Sequence, residues 1–103
     1  MYKINFYVPE AHLETVKEAM FLAGAGRVGN YDRCAWQIKG QGQFRPLEGS
    51  EAFLGEVNRL EKVVEYKVEL VCCHDCLKAA ILALKAAHPY ETPAYDVVKC
   101  LEF

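Results

Sequence analysis

Residues 2–13, YKINFYVPEAHL, and residues 66–77, YKVELVCCHDCL, are one pattern written twice. A single offset pairs Tyr2 with Tyr66, Lys3 with Lys67, Ile4 with Val68, Phe6 with Leu70 and Leu13 with Leu77, and carries on to Met20 and Leu84. Each copy opens on alternating apolar residues rich in β-branched and aromatic types, which predicts a half-buried strand. Each then passes into apolar residues at three- and four-residue steps, the stripe of a helix with one buried face.

Working outward, residues 2–8 are expected to be a strand and residues 11–25 a helix burying Leu13, Val16, Met20 and Ala23. Pro9 suits the helix entry and the glycines of GAGRVGN its exit. Residues 33–39 read as a second strand, GQGQ as a hairpin turn and FRPLEG as its returning arm. Residues 50–60 fit either a short helix or a loop. Strand 65–72, helix 74–87 and strand 94–101 complete the second half. Two β-α-β halves in tandem predict an α+β, ferredoxin-like βαββαβ sheet with both helices on one face and an extended β2–β3 hairpin region. The other face would be left bare. Its Tyr, Phe, Trp and Cys side chains are apolar enough to predict burial against further copies, hence a homo-oligomer.

The chain of 103 residues suffices for one domain, residues 1–103, and for one core. Hydrophobic residues are 52% and charged residues 25%, the balance of a foldable globular protein. A formal charge of −2 without any basic block argues against phosphate neutralisation, so no nucleic-acid partner is expected. Apolar runs are broken well short of a membrane span, and MYKINFYVPE lacks a signal-peptide layout. The expected location is cytoplasmic, with no membrane partner. Five cysteines are an odd number, and reduced thiols are the expected state.

The cluster CCHDC raises three readings. Cys73 and Cys76 have the C-x2-C spacing that lets two thiolates meet a soft divalent metal such as zinc, with His74 between them. Zinc wants four ligands, and no second ligand pair occurs in the chain, so such a site would be completed across an interface between copies. A C-x-x-C entering a helix N-terminus also suits thiol redox chemistry. The repeat favours a structural reading, because Pro9, Glu10, Ala11 and His12 fill the same junction without thiols. The glycine loop holds G-x-G-x-x-G at Gly24, Gly26 and Gly29. It follows a helix and precedes a strand, the reverse of the dinucleotide-binding context, so the glycines are expected to supply positive φ at the helix exit. Trp36 and Phe44, without basic companions, read as core or interface anchors.

Two long stretches, GAGRVGNYDRCAWQIKGQGQFRPLEGSEAFLG from Gly24 and HPYETPAYDV from His88, resemble the inserted domain of the YqfO/Nif-three-like family. That resemblance implies a ferredoxin-like domain similar to CutA and PII signalling proteins, and a trimer as the oligomer. It covers essentially the whole chain but not the two-lobed metal-binding core, so no metal ligand of that core transfers to any residue here. The GTP cyclohydrolase label attached to the family loses its physical basis, and the chain reads as the inserted module existing alone. By similarity, relatives carry ordinary polar cap residues where this chain has cysteines.

His88, Tyr90, Glu91 and Tyr95 fit a helix exit, but also a cleft at one end of the sheet that could contact a small ligand. The reading of the whole is a non-enzymatic, oligomeric PII/CutA-like module binding a small ligand, a divalent metal or a partner protein. The alternatives are an accessory part of a metal-dependent Nif-three-like hydrolase and a redox protein using Cys73 and Cys76.

Overall fold

The computed structural model describes residues 1–103. Strand β1 (Tyr2–Pro9) leads through a 3-10 turn (Glu10–His12) into α1 (Leu13–Leu22). Strands β2 (Trp36–Phe44) and β3 (Glu61–Cys72) follow, then α2 (His74–Ala87) and β4 (Tyr95–Lys99). The sheet order is β2-β3-β1-β4 with every neighbour antiparallel. This is the α+β, ferredoxin-like arrangement the repeat predicts.

The duplication is visible in the central pairing. Strand β1 pairs with β3 from Tyr2 opposite Cys72 to Pro9 opposite Glu65, which sets Asn5 against Glu69, its own counterpart in the repeat. The approximate twofold of the two halves passes between them. Ile4, Phe6 and Val8 alternate towards the helices, as do Val68, Leu70 and Cys72, and they meet Leu13, Val16 and Met20 of α1 and Ala80 and Leu84 of α2. Cys72 occupies the place of Val8 and packs as a small apolar residue, so that cysteine is core.

The first helix starts later than its stripe suggests, because the chain turns once in 3-10 geometry after Pro9 before the α-helical bonds begin. It also ends three residues earlier than expected, at Leu22, which leaves Ala23 as a partly buried cap residue, while the glycines close the exit as the sequence suggests. Gly24 takes φ +107°, and the Ala25 N–H closes on the Met20 carbonyl at 3.1 Å. Gly26 and Gly29 also have positive φ.

The GQGQ reading is corrected: residues 40–43 are not a turn. Strand β2 runs straight through them, from Trp36 opposite Glu69 to Phe44 opposite Glu61, and β3 begins four residues earlier than its apolar pattern shows. Neither Gly40 nor Gly42 has positive φ. Gly42 serves space instead, because a Cβ there would overlap the Glu65 carboxylate. The two strands form an arm that draws the molecule out to 46 × 24 × 24 Å. FRPLEG is not a returning strand, and residues 45–60 form one long loop without a helix.

The open sheet face also differs from expectation, being polar at its centre. Glu69 lies between Lys3 (3.4 Å) and Lys67 (3.2 Å), and Asn5 donates to Asp96 at 2.8 Å. Apolar exposure is confined to the flanks, with Trp36 and Ile38 on β2 and Val98 on β4 about half exposed. Cys72 faces the helices, while Cys34 and Cys100 lie outside the strands.

Candidate functional site

The arm leaves the open face with a sheltered end. Residues 45–60 fold back over it, tied by the Asn58 N–H to the Pro46 carbonyl (2.6 Å) and by the Glu51 N–H to the Glu91 carboxylate (3.0 Å). Between this loop, the arm and residues 90–94 lies a cavity of about 400 Å³. Phe44, Pro46, Leu47, Phe53, Leu54 and Ala94 make apolar walls, and Tyr7, Glu65, Tyr90 and Glu91 bring polar groups. A long structureless loop that closes a pocket is a usual carrier of binding function.

The segment after α2 positions Tyr90. His88 caps the helix, its N–H reaching the Leu84 carbonyl at 2.9 Å, and its ring is buried. Nε2 lies 2.7 Å from the Tyr7 carbonyl and Nδ1 accepts the Tyr90 N–H at 3.1 Å, so the network assigns the neutral Nε2–H tautomer. Burial pushes the His88 pKa below its ordinary value. The ring packs on Tyr90 with centroids 4.9 Å apart, and Tyr90 in turn meets Phe53 at 6.2 Å and Phe44 at 6.1 Å. Phe53 also stands edge-on to His12, whose buried Nδ1 has no partner.

Two polar groups of the cavity wall itself have no partner in the chain. The Tyr90 hydroxyl is buried with no hydrogen-bond partner. Burial, and the nearby Glu65 carboxylate, raise its pKa. The Glu65 pKa is itself raised by burial, which biases this carboxyl towards its neutral form. Side by side they offer a hydroxyl and a carboxyl at an apolar wall, a recognition arrangement without a nucleophile paired to a base.

Of the residues singled out in the sequence, Tyr90 and Glu91 line the cavity, and His88 lies behind Tyr90 with both ring nitrogens used within the chain. Tyr95 lies elsewhere. It pairs with Phe6 on the helix-facing side, packs on the core and carries the Lys85 ammonium 5.5 Å above its ring. Tyr7, Phe44, Phe53 and Glu65 complete the site. Of these only Phe44 stands out in the sequence, as an aromatic anchor; Tyr7, Phe53 and Glu65 carry no local signal.

The cysteine cluster is at the other end. Cys73 is the exposed N-cap of α2, with φ −72° and ψ 158°, and its thiol makes no cap hydrogen bond. Cys76, one turn on, is half-buried with its sulfur against Gly24. Interaction between the two thiols lowers the pKa of Cys73 and raises that of Cys76, while burial pushes Cys72 up to about 11. His74 points to Asp75 (3.7 Å) and the Tyr2 ring, and no three His, Cys, Asp or Glu side chains of the chain converge as metal ligands. Zinc at Cys73, His74 and Cys76 would therefore need donors from another chain. Because serine is a far better N-cap acceptor than a thiol, Cys73→Ser is expected to stabilise the fold by about 0.5–1 kcal/mol, read as a higher urea midpoint.

No family model matches the sequence. The GTP cyclohydrolase 1 type 2 homolog of Mycobacterium leprae is 43% identical over 91 residues, covering 88% of this chain and 24% of that protein. The same-named protein of Bacillus subtilis is 44% identical over 95 residues, covering 92% and 26%. The crystal structure of a Bacillus cereus protein related to NIF3 superposes with a TM-score of 0.81 at 38% identity, over 94% of this chain and 24% of that one. The chain is homologous to one segment of the NIF3-related family. This NIF3-related segment spans about a quarter of the length of the relatives it matches. Its fold also matches the periplasmic divalent cation tolerance protein CutA of Archaeoglobus fulgidus, with a TM-score of 0.71 at 16% identity over 100% of this chain and 87% of that one. No helix of the NIF3-related segment is long and apolar enough to cross a membrane.

Proposed function

We propose that this NIF3-related segment is a non-enzymatic binding module that takes a small organic ligand at the sheltered end of its sheet. The observation that carries this is the unpartnered, buried Tyr90 hydroxyl beside Glu65 in a cavity of about 400 Å³. That volume suits a nucleoside-sized molecule. Phe44, Phe53 and Tyr90 favour a flat apolar body, and the Tyr90 hydroxyl and Glu65 favour a hydroxyl or amine on it. The cyclohydrolase in the relatives' name belongs to proteins of which this segment covers about a quarter, and it is not proposed here.

The module is further proposed to be a homo-oligomer, a trimer by its resemblance to CutA and PII proteins. Half-exposed Trp36 and Ile38 and the unpaired outer edges of β2 and β4 support contact between copies. Light scattering is expected to return three times the 11.6 kDa chain mass. A monomer at micromolar concentration would refute it.

The ligand reading is tested by thermal shift and calorimetry against nucleosides, aromatic amines and divalent cations. A ligand at about a hundred times its Kd should add about 2.7 kcal/mol of stability. Tyr90→Phe should weaken that ligand about tenfold by deleting one hydrogen bond. Equal binding by the variant, or turnover of a nucleoside, would refute the reading.

A further inference from the structure

We propose that Cys73 and Cys76 form a reversible dithiol–disulfide pair, a modification site at the α2 N-terminus separate from the ligand cavity. Three observations carry it. The cysteines sit at the N-cap and one turn on, where the Cys76 N–H reaches the Cys73 carbonyl at 3.2 Å and fixes the two residues on one turn. Their exposures differ in the useful sense: Cys73 is open to solvent, while the Cys76 sulfur rests against Gly24, so close that a Cβ there would come within 2.6 Å of it. The fold does not require thiols here. The equivalent junction of the first half passes from Pro9 through the 3-10 turn to His12 and Leu13 and builds its helix without one.

The co-reactant is a small-molecule disulfide, such as oxidised glutathione. Cys73 Sγ bonds to one of its sulfurs, breaking the S–S bond and releasing one thiol. Cys76 Sγ then bonds to Cys73 Sγ and displaces the second thiol. The protons of both protein thiols leave on the two released thiols, and the two electrons lost by the protein reduce the small disulfide. Cys72 stands outside the exchange, because its sulfur is buried in the core where Val8 stands in the other half.

The test is peptide mapping by mass spectrometry of the whole chain after exposure to oxidised glutathione. The peptide spanning residues 68–78 should lose two hydrogens through a Cys73–Cys76 bond, at least about tenfold faster than glutathione attaches to Cys34 or Cys100. Cys72→Val should leave this unchanged. Cys76→Ser should stop the exchange at a persistent glutathione adduct on Cys73. A stable adduct on Cys73 of the parent chain with Cys76 free, or loss of the bond in Cys72→Val, or equal rates at Cys34 and Cys100, would overturn the proposal.

Discussion

Phe6→Ala is expected to cost about 3–5 kcal/mol, a large share of the roughly 5–15 kcal/mol that holds a domain folded. Phe6 is the largest fully buried side chain and sits on the central strand β1 between the two helices. Truncation removes its transfer free energy and leaves a cavity that two halves already in contact cannot close. Its counterpart Leu70 is smaller and lies on β3, so Leu70→Ala should cost less, about 2–4 kcal/mol. Urea titration followed by circular dichroism would read both. A Phe6→Ala loss below about 1 kcal/mol would mean the core does not join the halves as described.

His88→Leu is the second large effect, about 2–4 kcal/mol, because it strands the Tyr7 carbonyl and the Tyr90 N–H, each worth about 1–3 kcal/mol when buried without a partner. The variant should also loosen Tyr90 and so weaken any cavity ligand. The same residue gives the parent a pH dependence. Burial is the main cause of its lowered pKa; the nearby His12 adds to it, and the hydrogen bond to Tyr7 works against it. A base whose folded pKa lies below its unfolded value of about 6.5 stabilises the fold in full above that value. The stability is then lost as the pH falls from 6.5 through the folded pKa, because protonating Nδ1 sets a second N–H against that of Tyr90. Stability measured from pH 7.5 down to pH 5 should therefore decline, and His88→Leu should remove that decline. Glu65, whose raised pKa adds stability at low pH that is lost as pH rises through its folded value, works in the opposite sense in both proteins and cancels in the comparison.

Where the sequence reading failed, the residues say why. GQGQ carries two glycines that serve equally as turn formers or as clearance for a carboxylate, and only its pairing with residues 62–65 separates these uses. Tyr95 begins the last strand directly after a proline and an alanine, so which face it takes depends on its register with Phe6. The open face looked apolar because its composition was summed over strands. Alternation sends the charged and amide residues Lys3, Asn5, Lys67 and Glu69 to one side and their apolar neighbours to the other.

The sequence alone determined that one β-α-β unit occurs twice, which side of each element is apolar, and that Ile4, Phe6, Val68, Leu70, Met20 and Leu84 meet in one core. Periodicity is a local property, written within a few residues, so a single chain suffices to read it. Only the tertiary structure decided the length of the arm, the fold-back of residues 45–60 and the meeting of Tyr7, Phe44, Phe53, Glu65 and Tyr90 around a cavity. Those side chains come from five separate segments, and their convergence depends on strand register and loop closure across the chain, which no local pattern encodes.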